Sequence, residues 1–105
     1  VRLGNGCMIG GSAEISLDVG PQLLVMGRNQ LFGLNRVGLK RRNCEDSELS
    51  KLKKLFRSLF KSPGNISNKA KNLLEDEEFN KTDITREFLQ FFLVSKRGFA
   101  RESRK

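Results

Sequence analysis

Residues 1–19, VRLGNGCMIGGSAEISLDV, carry a six-residue period, and this period decides the fold of the N-terminal part of the chain. The period is set by three aliphatic residues at intervals of six, Leu3, Ile9 and Ile15. Small residues stand four places after the first two, at Cys7 and Ala13. This repeat predicts coils of a parallel β-helix, with aliphatic side chains pointing inward and small residues at the corners. The alternative is an ordinary glycine-rich strand and turn.

Coils of this kind cannot bury their inward face alone, because each one packs against a neighbouring coil. The stretch therefore predicts the last coil or coils of a solenoid, with further coils upstream. The chain begins with Val1 rather than Met, and either processing or excision from a longer protein would explain this start.

The pattern changes after the hexads. Asp18–Pro21 is a turn signal, and Gln22–Met26 is a short apolar run, most simply a buried strand. Residues 29–35 look irregular, and Arg36–Arg42 is strongly basic. We therefore expect three parts: hexapeptide coils with a closing strand over residues 1–27, a basic linker or ligand loop over residues 28–44, and a C-terminal helical domain over residues 45–105.

From residue 45 the apolar period becomes helical and predicts about three helices. The first ends at Pro63-Gly64, and its apolar stripe consists of Leu49, Leu52, Leu55, Phe56, Leu59 and Phe60. The second is expected over residues 66–77. The third is expected over residues 83–96, with Thr82 as its N-cap and Gly98 as its terminator. Such helices predict a small bundle with a Leu- and Phe-rich core, followed by a frayed tail over residues 101–105.

The composition excludes several classes of function. The net charge of +8 predicts attraction to polyanions. The chain has no histidine, which excludes histidine-based acid–base catalysis by its own residues. Cys7 and Cys44 could form a disulfide on count alone, but we expect reduced, structural cysteines, as in a cytoplasmic protein. Because no CxxC pair and no histidine accompany them, we expect no metal site. We also expect no cofactor and no membrane span, because no phosphate-loop motif and no run of about 18 apolar residues occurs.

Three stretches are candidates for binding. Arg41 and Arg42 either hold a diphosphate, since guanidinium groups match phosphate oxygens, or belong to a solvated basic loop. The polar face of the first helix consists of Lys51, Lys54, Ser58 and Lys61, flanked by Lys53 and Arg57. This face either docks an acidic helix or a nucleic-acid backbone, or only solubilises the helix. The glycines of Met8–Gly11 leave room for a long apolar ligand or make a tight corner.

These motifs occur in a recognisable order. The order is the hexads, Met8–Gly11, Asp18-Val19, Gly33–Asn35, Gly38–Arg42, Lys61-Ser62 and the closing Ser-x-Arg-Gly of Ser95–Gly98. Over about residues 1–101 it resembles the UDP-N-acetylglucosamine O-acyltransferases, which begin lipid A synthesis. The resemblance implies a left-handed parallel β-helix of hexapeptide repeats followed by a small C-terminal helical domain, assembled as a homotrimer at full length.

The resemblance also implies an activity and a division of labour. That family transfers a 3-hydroxyacyl chain from acyl carrier protein to the 3-hydroxyl of UDP-N-acetylglucosamine. Its general base is a histidine on an upstream coil, so this chain is expected to supply substrate contacts and no catalytic residue. The positions that match UDP-sugar ligands are Asn35 and Arg41. Those that match basic residues facing the carrier protein are Arg42 and Lys53, and those that match the acyl-chain ruler are Met8 and Gly11.

The sequence departs from the family pattern at four places. Val37 stands where the family often has an acid that helps to hold the nucleotide. Gly20 replaces the first proline of an Asp-Val-Pro-Pro turn, and Gln22 replaces an aromatic residue. The loop over residues 28–32 is one residue short, and a ruler histidine of some members falls near Asn29. These departures bear on nucleotide affinity and acyl-chain choice.

Two other functions stay open at this point. The first is a non-catalytic module of the same ancestry that binds acyl carrier protein without turnover. The second is a basic helical module that binds nucleic acid, which the charge allows. No recognition-helix motif or aromatic platform supports the second, so we expect no nucleic-acid partner.

Overall fold

The computed structural model describes residues 1–102 and contains a small sheet followed by helices. The strands are β1 (Met8–Ile9), β2 (Leu23–Met26) and β3 (Gln30–Leu34). The helices are α1 (Arg36–Arg41), α2 (Asp46–Phe60), α3 (Ile66–Leu74) and α4 (Asp83–Phe91). Among residues 1–102, none of the helices combines the length and apolar character needed to cross a bilayer.

The N-terminal part forms a coil of a parallel β-helix, because the chain returns to lie beside itself in the same direction. Parallel pairs join residues 16 positions apart: Leu3 with Val19, Met8 with Leu24 and Ile9 with Val25. Paired residues of a parallel ladder point to the same face, so Leu3 and Ile9 share the inward face of the buried Val19 and Val25. Within residues 1–102 no coil covers their other side, which leaves Leu3 53% and Ile9 37% exposed.

The segment after β2 is more ordered than the sequence predicts, and the expectation of an irregular linker is wrong there. The chain turns back through Gly27 and Asn29, which have φ angles of 60° and 53°, and β3 pairs antiparallel with β2. This three-residue connection lacks the Asn-Gly or Asp-Gly signature of the commonest hairpins. The basic stretch is α1 rather than a loop. The division of the chain at residues 27 and 44 stays a prediction.

The helical part confirms the three predicted helices, with α3 and α4 shorter than expected. α2 begins at Asp46 and ends at Phe60, just before Pro63-Gly64. α3 ends at Leu74 instead of residue 77. In a longer helix the carboxylates of Glu75–Glu78 would lie at the C-terminus, where the partial negative charge of the helix dipole repels them. The Asn80 side-chain amide donates instead to the Leu74 carbonyl over 3.1 Å.

α4 ends at Phe91 instead of residue 96, because groups from distant parts of the chain take over its C-terminal bonds. The Arg2 guanidinium donates to the carbonyl oxygens of Phe91 and Val94. Ser95 turns away to Asp18, and Gly98, with a φ of 89°, lies in the turn that follows instead of ending the helix. Thr82 occupies the N-cap position of α4, but its hydroxyl bonds to Thr85 and makes no cap hydrogen bond.

The chain after Gly98 returns to the coil as an additional rung. Phe99 pairs in parallel with Asp18, and Arg101 pairs in parallel with Gln30. Glu102 forms an ion pair with Lys61, in which Oε2 and Nζ are 2.8 Å apart. The predicted frayed tail is therefore wrong for residues 101 and 102, while residues 103–105 lie outside the described residues.

Phe92 joins the helices to the coil at the centre of the core. Its ring packs against four other phenylalanines, Phe60, Phe88, Phe91 and Phe99, with centroid distances of 5.0 to 5.6 Å. Gly20 lies against the same ring, and a Cβ at that position would overlap the ring edge. Position 20, where the resembled family has a proline, is a glycine here, and its lack of a side chain leaves room for the Phe92 ring. The core is Leu- and Phe-rich as predicted, with Leu52, Leu55, Leu59, Phe88, Leu89 and Phe92 fully buried.

Asp18 links both ends of the described chain through one buried carboxylate, which is 3% exposed. It accepts hydrogen bonds from the Arg2 backbone N–H at 2.9 Å, the Arg2 guanidinium at 3.2 Å and the Ser95 hydroxyl at 2.8 Å. Burial raises the pKa of Asp18, but these hydrogen bonds and the charge of Arg2 outweigh it, and the pKa lies below its usual value.

We expect Asp18→Asn to lower the free energy of unfolding near neutral pH by roughly 1–3 kcal/mol, because the amide cannot accept all three bonds. A carboxyl with a lowered folded pKa stabilises the fold above its unfolded pKa of about 3.9. This stabilisation is lost as the pH falls through the folded value. Urea unfolding at neutral and acidic pH measures the difference, which should shrink at acidic pH.

The matched control is Asp83→Asn, because the Asp83 side chain is 97% exposed and forms an ion pair with Arg86 across one turn of α4. Its effect should stay below about 1 kcal/mol. Equal losses for the two variants, or a difference that does not change with pH, would contradict the role of Asp18.

Candidate functional site

Asn35 lies where the coil, β3 and α1 meet. Its Oδ1 accepts a hydrogen bond from the Gly38 backbone N–H at 3.1 Å, which caps α1. Its Nδ2 donates to the Gly6 carbonyl at 3.0 Å, which ties α1 to a turn of the coil. Both ends of the Asn35 amide are therefore used inside the chain, and each retains capacity for one further bond.

Arg42 is held beside Asn35 by the coil. Its Nε donates to the Gly38 carbonyl at 3.1 Å, and its Nη2 donates to Oε1 of the buried Gln22. Gly6 has a φ of 73°, and a Cβ there would collide with the Arg42 guanidinium. Gln22, which departs from the family's aromatic residue, thus fixes Arg42. The structure brings Asn35 and Arg42 together at Gly6 and Gly38.

Arg41 and Val37 point away from these contacts. Arg41 is exposed in the last turn of α1, and within the described residues its side chain makes no hydrogen bond or ion pair. Val37 is 61% exposed on the first turn of the same helix. The Arg41 guanidinium is therefore open to solvent at the end of α1. An apolar side chain, Val37, stands where the resembled family often has an acid.

Lys53 lies apart from Arg42, in a pocket between β3 and α2. We name this the β3–α2 pocket; it has a volume of about 370 Å³ and is lined by Phe32, Gly33, Leu34, Arg36, Lys53, Phe56, Arg57 and Lys61. The sequence alone does not indicate that Arg36 and Phe32 line this pocket, because it predicts neither β3 nor α1. Lys54, from the predicted polar stripe, is instead paired with Glu78 at 2.6 Å.

Met8 and Gly11 lie on the outer side of the coil. Met8 is 50% exposed and pairs with the half-buried Leu24, on the face opposite Ile9. Gly11 is exposed, and a Cβ on it would meet nothing within 4 Å. The two predicted ruler positions are therefore both exposed, and a larger side chain at Gly11 would occupy free space.

The two thiols are not activated. Both are free; burial raises the pKa of Cys7, and burial together with the charge of Glu48 raises the pKa of Cys44. Neither is therefore a nucleophile poised as a thiolate. Across residues 1–102 no group of three His, Cys, Asp or Glu side chains is placed to hold a metal ion.

The coil of a parallel β-helix leads into a small helical bundle, and β-bridges from Phe99 and Arg101 bring the chain back to the coil. These features define the chain as the terminal part of a β-helix protein with a helical extension. The family described as "Udp N-acetylglucosamine O-acyltransferase; Domain 2" matches residues 18–100. The chain belongs to this family.

Relatives over nearly the whole chain agree with this assignment. An acyl-[acyl-carrier-protein]–UDP-N-acetylglucosamine O-acyltransferase of Campylobacter jejuni subsp. jejuni serotype O:2 is 38% identical over 99 residues, covering 93% of this chain. The corresponding protein of Syntrophobacter fumaroxidans is 39% identical over 101 residues. The chain spans only 36% and 38% of these two proteins, respectively.

Solved structures give the same fold. The UDP-N-acetylglucosamine acyltransferase from Campylobacter jejuni superposes with a TM-score of 0.83 at 34% identity, over 97% of this chain and 38% of that one. The Arabidopsis UDP-N-acetylglucosamine acyltransferase superposes with a TM-score of 0.81 at 29% identity. The predicted fold class, the end of a left-handed parallel β-helix followed by a helical domain, is confirmed.

We expect Asn35→Ala to destabilise the chain by roughly 1–2 kcal/mol, because it removes both the cap of α1 and the bond to Gly6. Asn35→Asp keeps the cap and should cost less. Thermal or urea unfolding of the two variants measures this order. If Asn35→Asp were the more destabilising variant, the cap would not be the main contribution of this side chain.

Proposed function

We propose that this chain is the substrate-binding C-terminal part of an acyltransferase that moves a 3-hydroxyacyl chain from acyl carrier protein to UDP-N-acetylglucosamine. The observation that carries the proposal is the family match over residues 18–100, on a fold in which α1 joins the coil to α2. The whole enzyme would work in the cytoplasm as a homotrimer and would take its catalytic base from coils that precede Val1.

Carrier-protein docking is the contribution that the surface supports best. The net charge of +8 favours association with an acidic protein and raises its rate. Arg42 is exposed but held by Gln22 and Gly38, so it would meet a partner as an oriented charge. Lys53 would contribute from the β3–α2 pocket, on a different part of the surface.

Sugar-nucleotide binding would use the α1 region. Among residues 1–102 the Arg41 guanidinium makes no bond and could bind phosphate oxygens, and Asn35 retains one donor and one acceptor site. Met8 and Gly11 would border the acyl chain on the outer face of the coil, where side-chain bulk would limit its length.

A second candidate is a carrier-binding module without turnover, favoured by the absence of any histidine from the chain. Both candidates bind acyl carrier protein and differ in what precedes Val1. The acyltransferase predicts DNA that encodes further hexads and a histidine upstream of Val1. A reading frame that starts at Val1 would leave only the non-catalytic module.

We expect acylated carrier protein to bind the chain, with Arg42→Glu and Lys53→Glu each weakening the affinity about tenfold or more, because each replaces an attraction by a repulsion. Nuclear magnetic resonance titration of the ¹⁵N-labelled chain measures this affinity. Lys71→Glu, an exposed lysine of α3, is the control with the same change in charge and should have a much smaller effect. Binding that is absent, or that Lys71→Glu weakens equally, would count against specific docking.

A further inference from the structure

The β3–α2 pocket concentrates positive charge. Lys53 and Arg57 lie four residues apart on α2, about 6 Å along one side of the helix, and Lys61 follows four residues later at its C-cap. Arg36 faces them from the start of α1, and no carboxylate is among the lining residues. Within residues 1–102 only Lys61 of these four has an ion pair, with Glu102. Cations held this close repel one another, and a compact anion would relieve that repulsion.

The same pocket has an apolar wall. Phe32 is 58% exposed in the middle of β3, although most other phenylalanines of the chain contribute to the core. Phe56 lies on the α2 side, supported from behind by Phe60 at a centroid distance of 5.2 Å. Gly33 keeps the space between the two walls open, because a Cβ there would have no neighbour within 4 Å.

We propose that the β3–α2 pocket binds a phosphate ester, with the phosphate among Arg36, Lys53 and Arg57 and the organic part against Phe32 and Phe56. Two guanidinium groups and an ammonium match the several oxygens of a phosphate. The volume of about 370 Å³ suits one small group. A row of carboxylates on a partner helix would line the outside of the pocket without filling it.

This pocket shares Lys53 with the proposed carrier-docking residues and does not include Asn35, Arg41 or Arg42. The inference rests on the proposed function, which supplies both candidate ligands. Two sources carry such a group: a nucleotide, and the phosphodiester of the prosthetic arm on a carrier protein. In the first case the aromatic walls would stack on the base. In the second they would contact the aliphatic arm.

The test is a titration of the ¹⁵N-labelled full chain with UDP, with 4′-phosphopantetheine and with inorganic phosphate, in about 150 mM salt to screen diffuse surface binding. We expect saturable shifts at the amides of Gly33, Leu34 and Lys53 with at least one of the two esters. The ester that binds more tightly identifies the source. Inorganic phosphate should bind more weakly, because it lacks the apolar part.

Two variants separate the charges from the aromatic wall. Arg36→Ala combined with Arg57→Ala should weaken ester binding about tenfold or more. Lys71→Ala combined with Lys81→Ala removes the same charge from exposed positions elsewhere and should change it less than about threefold. Phe32→Ala should weaken the esters while leaving inorganic phosphate unchanged.

The proposal is overturned if no ester saturates the pocket amides, or if the pocket and control double variants bind equally. Spectra of each variant outside the pocket should match those of the parent chain, so that a loss of binding is not mistaken for unfolding. Carrier protein without its prosthetic arm gives a further test. If it shifted the pocket amides as strongly as the intact carrier did, the pocket would recognise the protein surface and not a phosphate ester. Failure here leaves carrier docking through Arg42 untouched.

Discussion

The buried carboxylate of Asp18 is the constraint on which the arrangement of coil and helices depends. A carboxylate that is 3% exposed needs hydrogen-bond donors, because an unpaired buried charge costs several kcal/mol or more. Its donors come from Arg2 on the preceding rung and from Ser95 after α4. The same Arg2 guanidinium donates to the carbonyl of Phe91, the last residue of α4, and to that of Val94 beyond it, and it stacks on the Phe91 ring at 4.4 Å. The coil and the C-terminal segment therefore each satisfy hydrogen-bonding groups of the other.

This closure positions the surface that carries the proposed binding residues. Because the rung of Phe99 and Arg101 adds to the coil beside Asp18 and Gln30, the helices are packed against the same coil that carries the turn at Gly6. α1 then bridges the two, with Asn35 bonded to Gly6 on one side and β3 leading into the β3–α2 pocket on the other. As a result Arg42 borders the coil, whereas the basic residues of the β3–α2 pocket border α2.

The parts of this fold that sequence could predict are those with a local period. The hexads of residues 1–19 predicted the coil, and the apolar stripe of α2 predicted that helix almost to its ends. The missed features depend on distant residues. α4 stops at Phe91 because Arg2, 89 positions away, takes its carbonyl, and Ser95 turns toward Asp18, 77 positions away. β3 and the pocket beside it were missed because a three-residue connection carries no strong turn signal.

The site residues show the limit of assigning a binding role to a residue from its position in a motif. Asn35 and Arg42 are predicted binding residues from the resemblance, yet their side chains are bonded to Gly6, Gly38 and Gln22 within this chain. A ligand would compete with those bonds or use the capacity they leave, so substitutions at these positions change the structure and binding together. Arg41, Arg36 and Lys53 make no such bonds among the described residues. Their substitution can therefore report on a ligand with less disturbance of the fold, which makes them the better probes of what this surface recognises.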